Sequence, residues 1–378
     1  VLYAKGGRAI EEATRLFPLA GKAPTLGPDQ FLLAALHVFE QSDFRLVSVG
    51  PESLQRKFIE GQAMEYSLRP TSGSRAAGKL MQWAGLVRFA IGTLLWRPSL
   101  ILAGIEGPMG LTALLLAKLL RARFIFLVHT DLSTASKRKF VMNRYVARCA
   151  HAVIVHGPFL RDQLKKMGCE SHKLLEFDTG FDALALQKKS PDDSREQAKN
   201  GIFLYAGRIE RNKGVFDLLQ AFEAAADSSD TQLVFAGDGS DIDSLVQQAD
   251  ASCYRHRISV LGPLPHKELL GWMTCATAIV TPTQSSFPEG RCMSALESLL
   301  VGTPVIAPDF GPFPYLVKHA ENGLMYAPDS VQALAQALRV LKDDPELLVR
   351  LQDGARRSGR ALTQPEHTFL SRLREAAA

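Results

Sequence analysis

Five cysteines in 378 residues are too few and too scattered for a covalent framework. Cys149, Cys169, Cys253, Cys275 and Cys292 are odd in number, contain no Cys-x-x-Cys and have no histidine cluster beside them. That excludes a disulfide scaffold and a zinc site and fits a reducing compartment. Low-complexity tracts and short internal repeats are absent. So is an apolar run long enough to span a bilayer, which takes about 20 residues. The nearest candidate, residues 75–97, is interrupted by Lys79, Arg88 and Arg97. The opening residues show no signal-peptide pattern, and because the chain does not begin with Met this has no bearing on targeting. The basic run Lys137-Arg138-Lys139, continued by Arg144 and Arg148, lacks the interleaved aromatics of a single-strand platform, so nucleic acid is not an expected partner.

What is present fits a two-domain globular chain. The length exceeds one ordinary core, and hydrophobic residues make up 46%. Charge is divided unevenly: residues 1–186 carry 24 Lys+Arg against 15 Asp+Glu, and the remainder 20 against 24. Different partners are expected for the two halves. Residues 187–199 are polar and patternless and read as a linker. From Ile202 onward apolar strands alternate with helical segments, the βα order of a doubly wound domain. The first half shows the same alternation: strands at Arg45-Leu46-Val47-Ser48-Val49-Gly50, Leu100-Ile101-Leu102-Ala103-Gly104, 124–128 and Ala152-Val153-Ile154-Val155-His156-Gly157 are separated by helical stretches. Residues 365–378 read as a closing helix.

The densest signal runs from Phe287 to Ala307. Pro288 and Gly290 break the chain. Met293, Leu296, Leu299 and Leu300 then recur at helical spacing, Gly302 and Pro304 stop the helix, and Val305-Ile306-Ala307 is a buried strand. Folding leaves two carboxylates unexplained, Glu289 at the helix entrance and Glu297 inside it. Were the whole stretch helical, they would stand about 12 Å apart. A helix entrance suits a phosphate, so the acids could hold hydroxyl-bearing groups on either side of a diphosphate, as a nucleotide sugar requires. The plainer alternative is a capping Glu and a solvated Glu.

The Glu-x7-Glu spacing followed by Gly302-Thr303-Pro304-Val305-Ile306-Ala307 resembles the donor-site signature of retaining GT4-type glycosyltransferases of the GT-B fold. Three more ordered segments share the resemblance: Gly207-Arg208-Ile209-Glu210-Arg211-Asn212-Lys213-Gly214, the strand ending Gly237-Asp238-Gly239, and Asn322-Gly323-Leu324. Resemblance implies two Rossmann-like domains facing a central cleft: an acceptor-side domain over 1–186, a donor domain over 200–364, and the 365–378 helix crossing back. It also implies retention of anomeric configuration with no metal or other cofactor, the substrate being an NDP-sugar, UDP- or GDP-linked above all. A hexose-type sugar would pass to a glycan or lipid-linked acceptor, in surface polysaccharide or glycolipid synthesis. A small soluble acceptor, an NDP-sugar epimerase or hydrolase, and a non-catalytic nucleotide-sugar-binding subunit are the competing readings.

Roles follow residue by residue. Glu289 would hold donor-sugar hydroxyls and Glu297 the ribose. Arg208 and Lys213, with Gly207 beside them, would neutralise the leaving diphosphate. Gly290, Arg291, Cys292 and Met293 would present backbone N–H groups to it. Gly262 and Leu264, after another strand end, would meet the nucleobase. His129, in the polar cluster closing the apolar run Phe124–Val128, would touch the transferred sugar. Gly27, which precedes an early helical stretch, or Gly6-Gly7 would admit the diphosphate to the first domain. Asp131 would orient the acceptor or cap the next helix, and Lys137 and Arg138 would meet an anionic acceptor. Arg291 and Cys292 depart from the aromatic and glycine usual in that motif; Cys292 reads as a small buried residue rather than a nucleophile. Residues 75–97 are either a core helix or an amphipathic helix lying on a membrane, which would place a cytoplasmic protein at the inner membrane face.

Overall fold

A computed structural model describes residues 2–6, 35, 38–39, 42, 45–49, 57–59, 62–65, 75–133, 135–179, 201–226, 231–362 and 366–378. Side chains are described for all of these except 5–6, 45–49, 57–59, 62–65 and 75–84. Gly27 and the segment 187–199 lie outside the described residues. The chain forms two units, Val1–Gly180 with Pro365–Ala378, and Phe181–Gln364.

The first unit is built on one sheet. Its strands are β1 (Leu2–Gly6), β2 (Arg45–Val49), β3 (Lys57–Ile59), β4 (Gln62–Glu65), β5 (Leu100–Gly104), β6 (Arg123–Val128), β7 (Ala152–His156) and β8 (Leu174–Phe177), in the order β3-β4-β2-β1-β5-β6-β7-β8. Every pairing is parallel except the β3–β4 hairpin. The strands β5 to β7 read as near-continuous apolar runs because helices cover both sides. One face carries α1 (Arg75–Trp96), α2 (Pro108–Leu120), α3 (Lys137–Cys149) and α4 (Gly157–Lys166), whose Phe89, Leu114, Val146 and Leu160 pack on Ile101, Phe124, Phe126 and Val153.

The closing helix of the chain, Phe369–Ala377, covers the other face. Phe369, Leu373 and Ala376 pack on Tyr3, Leu102, Ile125 and Phe177. Thr368 and Ser371 form its capping box, and Arg372 donates to the Glu176 carbonyl at 2.8 Å. Among the described residues no helix is long and apolar enough to cross a membrane.

Helix α1 has two distinct sides. Phe89 and Thr93 are buried and Trp96 packs against the core, whereas Val87, Ile91, Leu94 and Leu95 are exposed. Over residues 85–96, therefore, one face of the helix belongs to the core and the opposite face is exposed.

The second unit is a six-stranded parallel sheet. The strands β9 (Ile202–Ala206), β10 (Gln232–Ala236), β11 (Ile258–Gly262), β12 (Ala278–Val280), β13 (Val305–Pro308) and β14 (Gly323–Tyr326) run β11-β10-β9-β12-β13-β14. Its helices are α5 (Val215–Ala225), α6 (Ile242–Ala251), α7 (His266–Cys275), α8 (Met293–Leu300), α9 (Phe313–Leu316), α10 (Val331–Asp343) and α11 (Pro345–Leu362), so that the closing helix is α12. Helices α5 and α10 bury Phe216, Leu219, Leu334 and Leu338 on one face of the sheet, and α7 buries Met273 on the other. The chain leaves β9 for β10 and β11 on one side, then returns to β12 on the other. The order therefore reverses between β9 and β12, and ligands of open α/β sheets gather outside the carboxyl ends at such a reversal.

Candidate active site

The loops leaving β9 and β12 meet at that reversal. After Ala206 the chain runs through Gly207 and Arg208 into a single 3-10 turn, Arg211–Lys213, closed by Gly214 at φ 72°. A Cβ on Gly214 would fall 1.8 Å from the Pro282 carbonyl oxygen. Only glycine supplies both the left-handed backbone and the clearance. Gln284 N–H donates to the Asn212 carbonyl at 3.1 Å and ties the two loops together. A second close approach lies next door, where a Cβ on Gly237 would stand 1.8 Å from the Gly207 carbonyl oxygen.

This packing brings Lys213 to Glu289. Nζ lies 2.6 Å from Oε2, with the side chains only 15% and 11% exposed. Phe287 holds the same pair of loops: Lys213 Nζ sits 3.9 Å and Arg208 Cζ 5.4 Å from its ring centroid, both within cation–π range. Arg208 also pairs with Glu210 at 2.8 Å but stays 57% exposed, so its guanidinium faces solvent. Beneath it the Tyr205 hydroxyl donates to the Arg208 carbonyl at 2.5 Å. Burial, with Cys292 and Glu289 nearby, pushes the Tyr205 hydroxyl above its ordinary range.

Glu289 is in a loop, not on a helix. Pro288, Glu289 and Gly290 are irregular, and α8 starts at Met293. Pro288 and Gly290 account for this, since neither favours continuing a helix. Gly290, Arg291 and Cys292 are buried, and Met293 is half-buried at the first turn. Burial pushes the Cys292 thiol up to about 11, with the Glu289 carboxylate adding to the rise and Lys213 opposing it.

Glu297, one turn into α8, is 17% exposed and lies 3.0 Å from His266 Nε2. His266 opens α7, shortly after Gly262, which has φ 71° and open space where a Cβ would be, and Leu264, half-buried against the core. The donor-side residues named from sequence thus fall into two clusters on one unit: Arg208, Lys213 and Glu289, and Glu297 with the loop after β11. Sequence reasoning missed Phe287 and His266. The aromatic two residues before Glu289 was a local signal for the first. Nothing local marks the second, because it is paired across 31 residues.

The residues expected from sequence on the acceptor side lie on the first unit. His129 is exposed directly after the carboxyl end of β6. Asp131 Oδ1 accepts from Ser133 N and Oγ, both at 2.7 Å, and from the Gln163 side-chain amide. It shapes the turn after β6, whereas Ser136 caps α3 through Lys139 N–H. Lys137 and Arg138 are exposed in the first turn of α3. Glu106 accepts from the Thr130 hydroxyl and pairs with Lys139 at 2.7 Å. Gly6 ends β1 beside the strand reversal of this sheet. Among the described residues no three His, Cys, Asp or Glu side chains are placed to hold a metal ion.

Residues 187–358 match the family described as glycosyl transferases group 1. That range takes in both donor-side clusters. Curated relatives include the glycogen synthase of Mycobacterium tuberculosis, 34% identical over 154 residues, or 40% of this chain and 36% of that one. A putative teichuronic acid biosynthesis glycosyltransferase, TuaC, of Bacillus subtilis is 26% identical over 64% of this chain and 60% of its own length. The chain thus spans about a third to three fifths of these curated relatives. Among solved structures, HepE of Anabaena in complex with UDP superposes with a TM-score of 0.69 at 17% identity, covering 100% of this chain and 98% of that one. The fold is GT-B, with two Rossmann-like α/β domains.

Proposed function

We propose that this chain is a retaining glycosyltransferase that moves a hexose-type sugar from a nucleoside diphosphate to a glycan or lipid-linked acceptor. The observation carrying the proposal is the Lys213–Glu289 ion pair at the β9/β12 strand reversal, with Arg208 on the same aromatic ring. A carboxylate beside two cations suits a ligand with hydroxyls at one end and phosphates next to them. Glu289 would accept hydrogen bonds from the sugar hydroxyls. Lys213 and Arg208 would face the phosphate adjoining the sugar, and Glu297, oriented by His266, would accept from the ribose. The group 1 match and the UDP held by the Anabaena neighbour agree with this choice of donor.

In the reaction the bond from the anomeric carbon to the phosphate oxygen breaks, and charge accumulates on the diphosphate. Fixed cations and backbone N–H groups at the start of α8 stabilise that charge most where it is greatest, in the transition state. The acceptor hydroxyl adds to the anomeric carbon from the same face, and its proton passes to a diphosphate oxygen. The leaving group thus acts as the base, and no separate carboxylate or imidazole base is required. No metal is needed in this scheme, because two side-chain cations take its electrostatic part. His129 is assigned to the transferred sugar on its place at a strand's carboxyl end and on the family resemblance.

The test is a transfer assay with UDP-, GDP-, ADP- and TDP-sugars against glycan, glycolipid and small-molecule acceptors, the anomeric configuration of the product being read by proton NMR. Acceptor-dependent release of nucleoside diphosphate with an axial donor giving an axial product is expected. Full-rate donor turnover without acceptor would instead identify a hydrolase or epimerase.

A further inference from the structure

Residues 281–292 join β12 to α8 without regular structure. That is a long connection for an α/β unit, where roughly two to six residues are common. Each of its residues has backbone freedom to lose on ordering. Yet from inside this loop Glu289 holds a 2.6 Å contact with Lys213. The loop therefore needs ties of its own.

On one side the ties run to the loop after β9 and the first turn of α5. Gln284 N–H donates to the Asn212 carbonyl at 3.1 Å, and its side-chain amide donates to Asp217 Oδ2 at 2.9 Å. On the other side they run to the turn after β14. Asp329 Oδ1 accepts from Ser285 N–H at 2.9 Å, and Oδ2 accepts from the Ser285 hydroxyl. One carboxylate thus takes both donors of one serine. From the clasped residue the chain turns tightly to the site: Phe287 N–H donates to the Gln284 carbonyl at 2.9 Å, and Glu289 N–H to the Phe287 carbonyl at 2.8 Å.

The backbone of Asp329 is a second, separate observation. Its φ of 56° lies in the left-handed region, which an L side chain enters only at a cost. Asp329 and Ser285 are both exposed, and hydrogen bonds made in water add little to global stability. A strained residue at the surface with little to gain for the fold points to a local task.

We infer that Asp329 is a positioning residue: it clasps Ser285 and so sets the loop that presents Phe287 and Glu289 to Lys213 and Arg208. It acts through Ser285 and is assigned no contact with substrate. Its consequence for rate rests on the transfer reading, because a small displacement of a binding group costs far more in rate than the bond that was lost.

A surface staple that only stabilises the fold behaves differently on substitution. Asp329→Gly relaxes the left-handed residue and removes the carboxylate. Asp329→Ala removes the carboxylate and keeps the strain. Asp329→Asn keeps an acceptor for Ser285 N–H and offers a donor to the hydroxyl oxygen. Stability should follow the backbone, with the Gly variant melting about 2–4 °C above the Ala variant. Function should follow the clasp: Gly and Ala alike should lower kcat/KM for the donor about tenfold, and Asn should recover most of that loss. Hydrogen exchange of the ligand-free chain reads the loop apart from the chemistry. In Asp329→Gly the amides of Phe287 and Glu289, as well as that of Ser285, should exchange about tenfold faster than in wild type. Unchanged exchange at Phe287 and Glu289 overturns the inference. So does an Asp329→Gly variant with wild-type kcat/KM, or a loss that tracks melting temperature across the three variants. Should wild type transfer no sugar, the proposed function fails, and hydrogen exchange still decides whether Asp329 sets the loop.

Discussion

Lys213 Nζ stands 2.6 Å from Glu289 Oε2, a contact across 76 residues that joins the loop after β9 to the loop after β12. With both side chains nearly buried, each charge depends on the other. Removing Lys213 leaves a carboxylate with little solvent and no counter-charge, which costs about 3 kcal/mol. Lys213→Ala is therefore expected to lower the urea midpoint as well as activity. Glu289→Gln keeps the shape and an acceptor oxygen for Lys213 but loses the charge; it should lower the urea midpoint less than Lys213→Ala does and reduce kcat by about a hundredfold.

His266 separates binding from chemistry. Its Nε2 lies 3.0 Å from Glu297 Oε1 and the ring is half exposed, so under the proposed function it would position the ribose-binding carboxylate without reaching the anomeric carbon. His266→Ala should raise the donor KM about fivefold with kcat little changed, and His266→Gln should recover most of the loss. Equal losses in kcat and kcat/KM would show that the ring acts in the transition state instead.

Cys292 should be inert. With its thiol pushed up to about 11, roughly one molecule in a thousand carries a thiolate at pH 8. Iodoacetamide is expected to label the exposed Cys253 and spare Cys292, read by peptide mass spectrometry. The folded thiol keeps its proton where the unfolded one has lost it. Its stabilising contribution is therefore full below about pH 9 and is lost as pH rises to about 11, by up to about 2–3 kcal/mol. Tyr205 and Tyr326, also pushed up by burial, add to the same decline above their ordinary range. Cys292→Ala should flatten the first part of it.

Gly214→Ala tests the junction of the loops. It combines a left-handed backbone with a clash against the Pro282 carbonyl, and should cost about 3 kcal/mol. Displacing the turn would also carry Lys213 away from Glu289, so weakened donor binding should accompany the lowered melting temperature.

Much of this site was legible because its residues sit in short ordered segments with strong local patterns. The period of Met293, Leu296, Leu299 and Leu300 marks the body of α8 but not its start, and apolar runs mark β9, β10 and β13. The helical distance from Glu289 to Glu297 does not apply, because Pro288 and Gly290 keep Glu289 in a loop. The salt bridge to Lys213 and the pairing of Glu297 with His266 are set by which loops the strand order brings together, and local periodicity carries no such information. Helix α1 was legible only as an ambiguity for a physical reason: its sequence is apolar on both sides, one side packing on Ile101 and Phe124 and the other left in solvent.

The central claim is that the second unit holds the nucleoside diphosphate of a sugar donor between Arg208, Lys213 and Glu297. Thermal unfolding with a panel of UDP-, GDP-, ADP- and TDP-sugars, comparing wild type with Glu297→Ala, tests it most directly. One nucleotide series should raise the melting temperature of wild type in proportion to the logarithm of its concentration, as mass action requires, and should lose that effect in the variant. No shift with any nucleotide sugar, or a shift equally large in Glu297→Ala, would contradict it.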